Sequence, residues 1–204
     1  RERFQRAVDV APDYFGGYRG LAAVDTLSGD TRRAEERLRR AHELAPLEPG
    51  VVTDLAGLYM DAGHVDEALS LFERASELAP KRSEYRLAMA EAFLAAGRLP
   101  EARQQVEEAR GLRTRNRRFA GAPDELLFRA TLLEIDQHRA GEVRSRDECE
   151  TVVGLLDAAE GYLALAAEAG LAEDLLRKDH KRISRKRRGV EEECGPAADL
   201  AGDG

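Results

Sequence analysis

Gly29, Gly63 and Gly97 stand 34 residues apart, and five further columns keep the same step: Ala22, Ala56, Ala90; Ala34, Ala68, Ala102; Leu38, Phe72, Val106; Ala41, Ala75, Ala109; and Pro12, Pro46, Pro80. A chain with one period in six columns folds as stacked copies of one unit, since each copy then meets the same neighbours. The composition says what the unit is made of. Ala, Leu, Glu and Arg dominate, the strongest helix formers, while β-branched residues are scattered and aromatics reach only 5%. The unit is therefore helical.

Each column has a physical reason. From Gly50 to Ala62 the apolar residues Val51, Val52, Leu55, Leu58 and Tyr59 keep a period near 3.6. Gly63 supplies the left-handed conformation that ends a helix. A second helix from about Asp66 carries Ala68, Leu69, Leu71, Phe72 and Ala75, and stops before Pro80, which cannot continue it without losing a hydrogen bond. The alanines at 56, 68 and 75 let the two helices approach, and Phe72 fills the gap between them. Such a pair cannot bury its apolar face alone, so it stacks on its neighbours.

This grammar resembles the tetratricopeptide repeat: a small residue midway down the first helix, Ala early in the second, a bulky apolar residue, Ala again, then Pro. Residues 15–48, 49–82 and 83–116 each match, and residues 1–14, with Phe4, Ala7 and Pro12, read as the second helix of a repeat whose first helix is missing. The resemblance implies an all-α fold, a right-handed superhelical solenoid of antiparallel helix pairs. There are departures. Asp25 stands where the family has a large apolar residue, which suggests a looser first repeat. Arg86 replaces an apolar or aromatic residue, and Thr114 replaces the terminal Pro.

Beyond residue 116 the helices continue without the repeat pattern. Pro123 suits a first helical position and leads a helix to about Arg139. Asp147 with Glu150 reads as a capping box for another, to about Ala169. Residues 117–178 are thus a divergent helical pair with a capping helix. Residues 179–204 read as a disordered tail, basic and then acidic. Within 177–189, eight Lys or Arg face one acid, a surplus of seven; for a net charge of −7 the rest must carry fourteen excess negative charges.

Chemistry is hard to place on this chain. The four histidines have no partner at metal-ligand spacing, and Cys149 and Cys194 are read as two unlinked thiols. There is no phosphate-cradling glycine loop and no nucleophile elbow. The reading is of a non-enzyme with no cofactor, metal or small-molecule substrate. No apolar run reaches the roughly 18 residues of a membrane span. No signal peptide is visible, and a cytoplasmic location is favoured; the start at Arg1, inside a helical pattern, reads as a cut from something longer.

The resemblance implies a protein or peptide partner, held by the concave face of the first helices. Carried over by position, that face holds Gly16, Arg19, Ala23 and Thr26, then Gly50, Thr53, Gly57 and Met60, then Glu84, Leu87, Glu91 and Leu94. Arg19, Thr53, Met60, Glu84, Leu87, Glu91 and Leu94 are the candidate contacts, suited to an amphipathic helix or extended segment with apolar anchors and basic flanks. Leu87 and Leu94 have a second reading, as residues packed beneath the helices of the second half. The Lys–Asn–Arg clamp by which some family members hold acidic chaperone tails is absent, because the matching positions are Arg19, Ala23, Asp54, Glu84 and Ala88. A second candidate contact is basic: Arg115, Arg117 and Arg118 in one stretch, Lys181, Arg182 and Arg185 in the other. Without interleaved aromatics these read as solvated charge, and nucleic acid is disfavoured as a partner. A helical accessory part of a larger enzyme or secretion assembly is the alternative, or a weak nucleic-acid contact through the basic tail; partner and oligomeric state are not written in these residues.

Overall fold

The computed structural model describes residues 1–112, 122–138 and 146–194. The described residues form helices and no strand. They divide into two compact units, Arg1–Ala96 and Gly97–Gly204.

The first unit contains α1 (Glu2–Val10), α2 (Phe15–Leu27), α3 (Thr31–Leu44), α4 (Pro49–Asp61), α5 (Val65–Leu78) and α6 (Ser83–Ala95). The turns follow from local chemistry. Pro49 occupies the first position of α4, where its missing N–H costs nothing. At the end of α4, Gly63 takes φ +80°. The amides of Gly63 and His64 donate to the carbonyls of Met60 and Tyr59 at 3.0 and 2.8 Å, a Schellman closure that satisfies two orphan carbonyls. Gly29 closes α2 in the same way through Thr26 and Asp25.

Packing follows the small residues. Ala22, Ala34, Ala56, Ala68 and Ala75 are each 1% exposed or less, so neighbouring backbones come close, and Leu38, Leu55, Leu58 and Phe72 fill the space between. A Cβ on Gly20 would lie 2.2 Å from the Phe4 ring, and one on Gly17 would lie 2.8 Å from Val8. Hydrogen on Cα there is what lets α1 lie against α2.

The first repeat is not loosened by Asp25. Its carboxylate is fully buried, with Oδ2 at 2.6 Å from Nη1 of Arg37 and Oδ1 at 3.1 Å from Nη2 of Arg1. None of these contacts is aligned as a hydrogen bond, so the pairing is electrostatic. A charge pair therefore fills the position that an aromatic or aliphatic residue takes elsewhere.

The second unit contains α7 (Leu99–Arg110), α8 (Ala122–His138), α9 (Arg146–Glu168) and α10 (Glu173–Cys194). Phe128, Leu132, Ile135, Val152, Leu156, Ala159, Leu163, Ile183 and Val190 form its core. Arg103 joins α7 to α8 by donating to Thr131 Oγ1 at 2.8 Å and Glu134 at 2.7 Å. Asp147 lies inside the first turn of α9 rather than at its cap, where a carboxylate is still favoured by the helix dipole.

Two expectations fail in this unit. Residues 179–194, read as the start of a disordered tail, form most of α10; residues 195–204 lie outside the described residues. The reason is a stripe at seven-residue spacing, Leu176, Ile183 and Val190, which packs into the core and outweighs the charge on the other faces. Lys186 pairs with Asp136, and Arg187 reaches Asp157 and Glu160 at 2.8 and 3.1 Å. The cysteines are also not unlinked: Cys149 at the start of α9 and Cys194 at the end of α10 form a disulfide, their Cα atoms 6.0 Å apart. Spacing along the chain does not reveal this, because the antiparallel packing of α9 and α10 brings the two ends together.

Candidate functional site

The first helices of the repeats supply the candidate surface in the first unit. Between α2 and α4 lies an open cavity of about 460 Å³. Ala23 and Thr26 of α2 face Thr53 and Gly57 of α4 across it. The space exists because these side chains are small; a Cβ built on Gly57 meets nothing within 4 Å. Leu38 and Leu58, 3% and 5% exposed, also line it, and Leu27 lines it while standing 89% exposed. The hydroxyls of Thr26 and Thr53 donate to the carbonyls of Ala22 and Pro49 at 3.1 and 2.7 Å. Their free lone pairs can still accept.

Charge borders this apolar space. Asp54 and Asp61 line it from α4. Asp54 accepts from Nε of Arg19 at 2.6 Å and from Nη2 at 3.4 Å. That hydrogen bond raises the Arg19 pKa above its ordinary value, so the guanidinium stays charged. The Arg19 guanidinium also lies over Gly50, where any Cβ would come within 2.8 Å of Nη1.

The candidate contacts read from the sequence do not all meet. Thr53 lines the cavity, and Arg19 joins it through Asp54. Met60 is half-buried and packs against the cluster of Ala56, Phe72 and Met89. Glu84 is half-buried and paired with Arg82 at 3.4 Å, while Glu91 is exposed. Leu87 and Leu94 are each 5% exposed and offer no surface anchor. Most positions along α6 are apolar, so the sequence alone could not single out which of them would be buried. Asp54, Leu58 and Asp61, each one position beyond an expected groove residue, also line the cavity but are not among the candidate contacts read from the sequence. The signal was available in the stripe itself, because a helix turned slightly about its axis presents the next residue.

Lys181, Arg182 and Arg185 lie exposed on α10. Arg115, Arg117 and Arg118 lie outside the described residues. Among the described residues no group of three or more His, Cys, Asp or Glu is placed to hold a metal ion, and no helix is long and apolar enough to cross a membrane.

Helix pairs closed by glycine turns at one 34-residue period define a helical-repeat protein. Residues 25–89 and 60–122 match a family model described as the tetratricopeptide repeat, so just under half of the chain carries this repeat. Solved structures share the fold at low identity. YrrB, a TPR protein with an unusual peptide-binding site, superposes with a TM-score of 0.59 at 15% identity, covering 98% of this chain and 93% of its own. MamA gives 0.59 at 14% identity, covering 81% and 84%. The Yersinia enterocolitica type III secretion chaperone SycD, in complex with a peptide of the translocator YopD, gives 0.55 at 17% identity over 63% and 98%. None of the curated proteins matches this chain in sequence.

Proposed function

We propose that the chain is a non-catalytic interaction module that holds a polypeptide segment in the groove between α2 and α4. The observation that carries this reading is the cavity of about 460 Å³ whose walls are the small residues Ala23, Thr26, Thr53 and Gly57. An open, largely apolar space with a few polar groups at its border is what an aliphatic side chain of a partner fills. Asp54 and Asp61 favour a lysine or arginine flanking that anchor, since a cation near two carboxylates gains attraction while remaining partly hydrated. Arg19 modulates this by neutralising part of the charge on Asp54. A peptide complex of one protein of the same fold and a peptide-binding site in another support the reading, with the partner's identity left to experiment.

The test is selection of binding peptides from a random displayed library by the parent chain and by an Ala23→Leu, Gly57→Leu variant that fills the cavity. The expected outcome is a parent selection enriched in aliphatic residues next to Lys or Arg, and none by the filled variant. Circular dichroism establishes that the variant stays helical. If a helical filled variant selects the same peptides, the groove is not the site.

A further inference from the structure

Of the eight Lys and Arg residues of α10, two flank the buried stripe and three share the face opposite it. Lys186 and Arg187 flank the buried stripe and are engaged with Asp136, Asp157 and Glu160. Lys181, Arg185 and Arg188 follow at i, i+4 and i+7, so they share one face of the helix. That face is opposite Ile183 and Val190, which are each 1% exposed. No ion pair engages Lys181, Arg185 or Arg188 among the described residues. Together with His180 and Ser184 they line an open depression of about 520 Å³. Lys178 and Arg177, the latter paired with Glu173 at 3.5 Å along the helix, extend the exposed basic side chains by one turn, giving a stripe of roughly 16 Å at 1.5 Å per residue. Helix formation, with one face committed to the core, is what gathers the charge into a line.

We infer that this stripe is a docking surface for a short acidic segment of a partner polypeptide. The choice of partner rests on charge and extent. Outside residues 177–189 the chain has fourteen more acids than bases, and Glu191, Glu192 and Glu193 follow the stripe directly. A nucleic-acid duplex or an anionic bilayer extends well past 16 Å and meets those carboxylates, whereas a short segment touches only the stripe. The stripe has no aromatic side chain on which bases stack. It also has no large apolar residue to enter a bilayer. Acidic residues at i and i+4 of a partner helix repeat at about 6 Å, the spacing between Lys181 and Arg185.

The experiment measures fluorescence anisotropy of a labelled Glu-rich helical peptide of about eleven residues, matched to the stripe, with the whole chain, from low to physiological salt, against a DNA duplex of about sixteen base pairs and phosphatidylserine vesicles. The expected result is that the peptide binds at low salt, weakens as salt rises, and loses at least about tenfold in affinity in the Lys181→Glu, Arg185→Glu, Arg188→Glu variant. An Arg3→Glu, Arg6→Glu, Arg32→Glu variant changes net charge equally on exposed positions elsewhere and is expected to keep the peptide within about twofold. Should the first variant lose helicity, the Gln versions of the same three positions carry the test. Absence of peptide binding to the folded parent, equal loss in both charge variants, or tighter binding of duplex or vesicles than of peptide overturns the assignment.

Discussion

Asp25 on α2 and Arg37 on α3 are paired at 2.6 Å, the carboxylate fully buried and the guanidinium only partly exposed. One repeat later the same two positions are Tyr59 and Leu71, which are half-buried and pack against Ala22, Leu38, Leu55 and Leu58. The fold thus accepts either an ion pair or an apolar pair at one place, but it cannot accept half of one. Removing Arg37 leaves a buried carboxylate with only Arg1 nearby. An Arg37→Leu chain is therefore expected to lose about 3 kcal/mol of unfolding free energy, by urea titration. Asp25→Tyr with Arg37→Leu, which copies the second repeat, is expected to recover most of it. A double variant as unstable as the single one refutes the equivalence.

The same substitution is expected to act in opposite directions at two glycines of one repeat. At Gly63, φ of +80° penalises any Cβ although no neighbour is near it. Gly63→Ala should cost about 1–2 kcal/mol. Gly57 lies inside α4, also with open space around a would-be Cβ. Gly57→Ala should stabilise by about 0.5–1 kcal/mol through reduced backbone entropy in the unfolded chain. Thermal or urea unfolding of the two variants compares the signs directly.

The disulfide between Cys149 and Cys194 closes a loop with a sequence separation of 45. Restricting the unfolded chain by a loop of that length is worth about 4 kcal/mol on the chain-entropy account. Reducing agent is expected to lower the urea midpoint and to speed amide exchange near the end of α10. A Cys149→Ser, Cys194→Ser chain should resemble the reduced protein and ignore the reductant. Identical midpoints in all cases would show that the bond constrains nothing.

Tyr85 on α6 is buried, and that burial pushes its phenol above the ordinary tyrosine range, with Arg82 over the ring opposing the shift. A group that holds its proton more tightly when folded stabilises fully below its unfolded pKa, and this contribution is lost as pH rises through the folded one. Denaturant titrations at pH of about 9 and about 11 should therefore show a steeper loss in the parent than in Tyr85→Phe. Equal slopes refute the argument.

The sequence alone determined what depends on near neighbours. Pro49, Gly29 and Gly63 act over a single turn through φ preferences and missing or orphaned backbone groups, so the helix ends could be read directly. The alanine columns act through their own size, which the letters state, and their burial follows. Tertiary structure decided what depends on distant residues. Whether Leu87 and Leu94 meet solvent, which cation answers Asp25, and whether two cysteines 45 residues apart share a bond are settled by the approach of separate helices. Placement of the groove also needed that approach. A helix turned by a fraction of its period presents Asp54, Leu58 and Asp61, and only packing against its neighbours sets the turn. For α10 both kinds of information were present: the spacing of Leu176, Ile183 and Val190 was visible, but its value depended on a core to receive it.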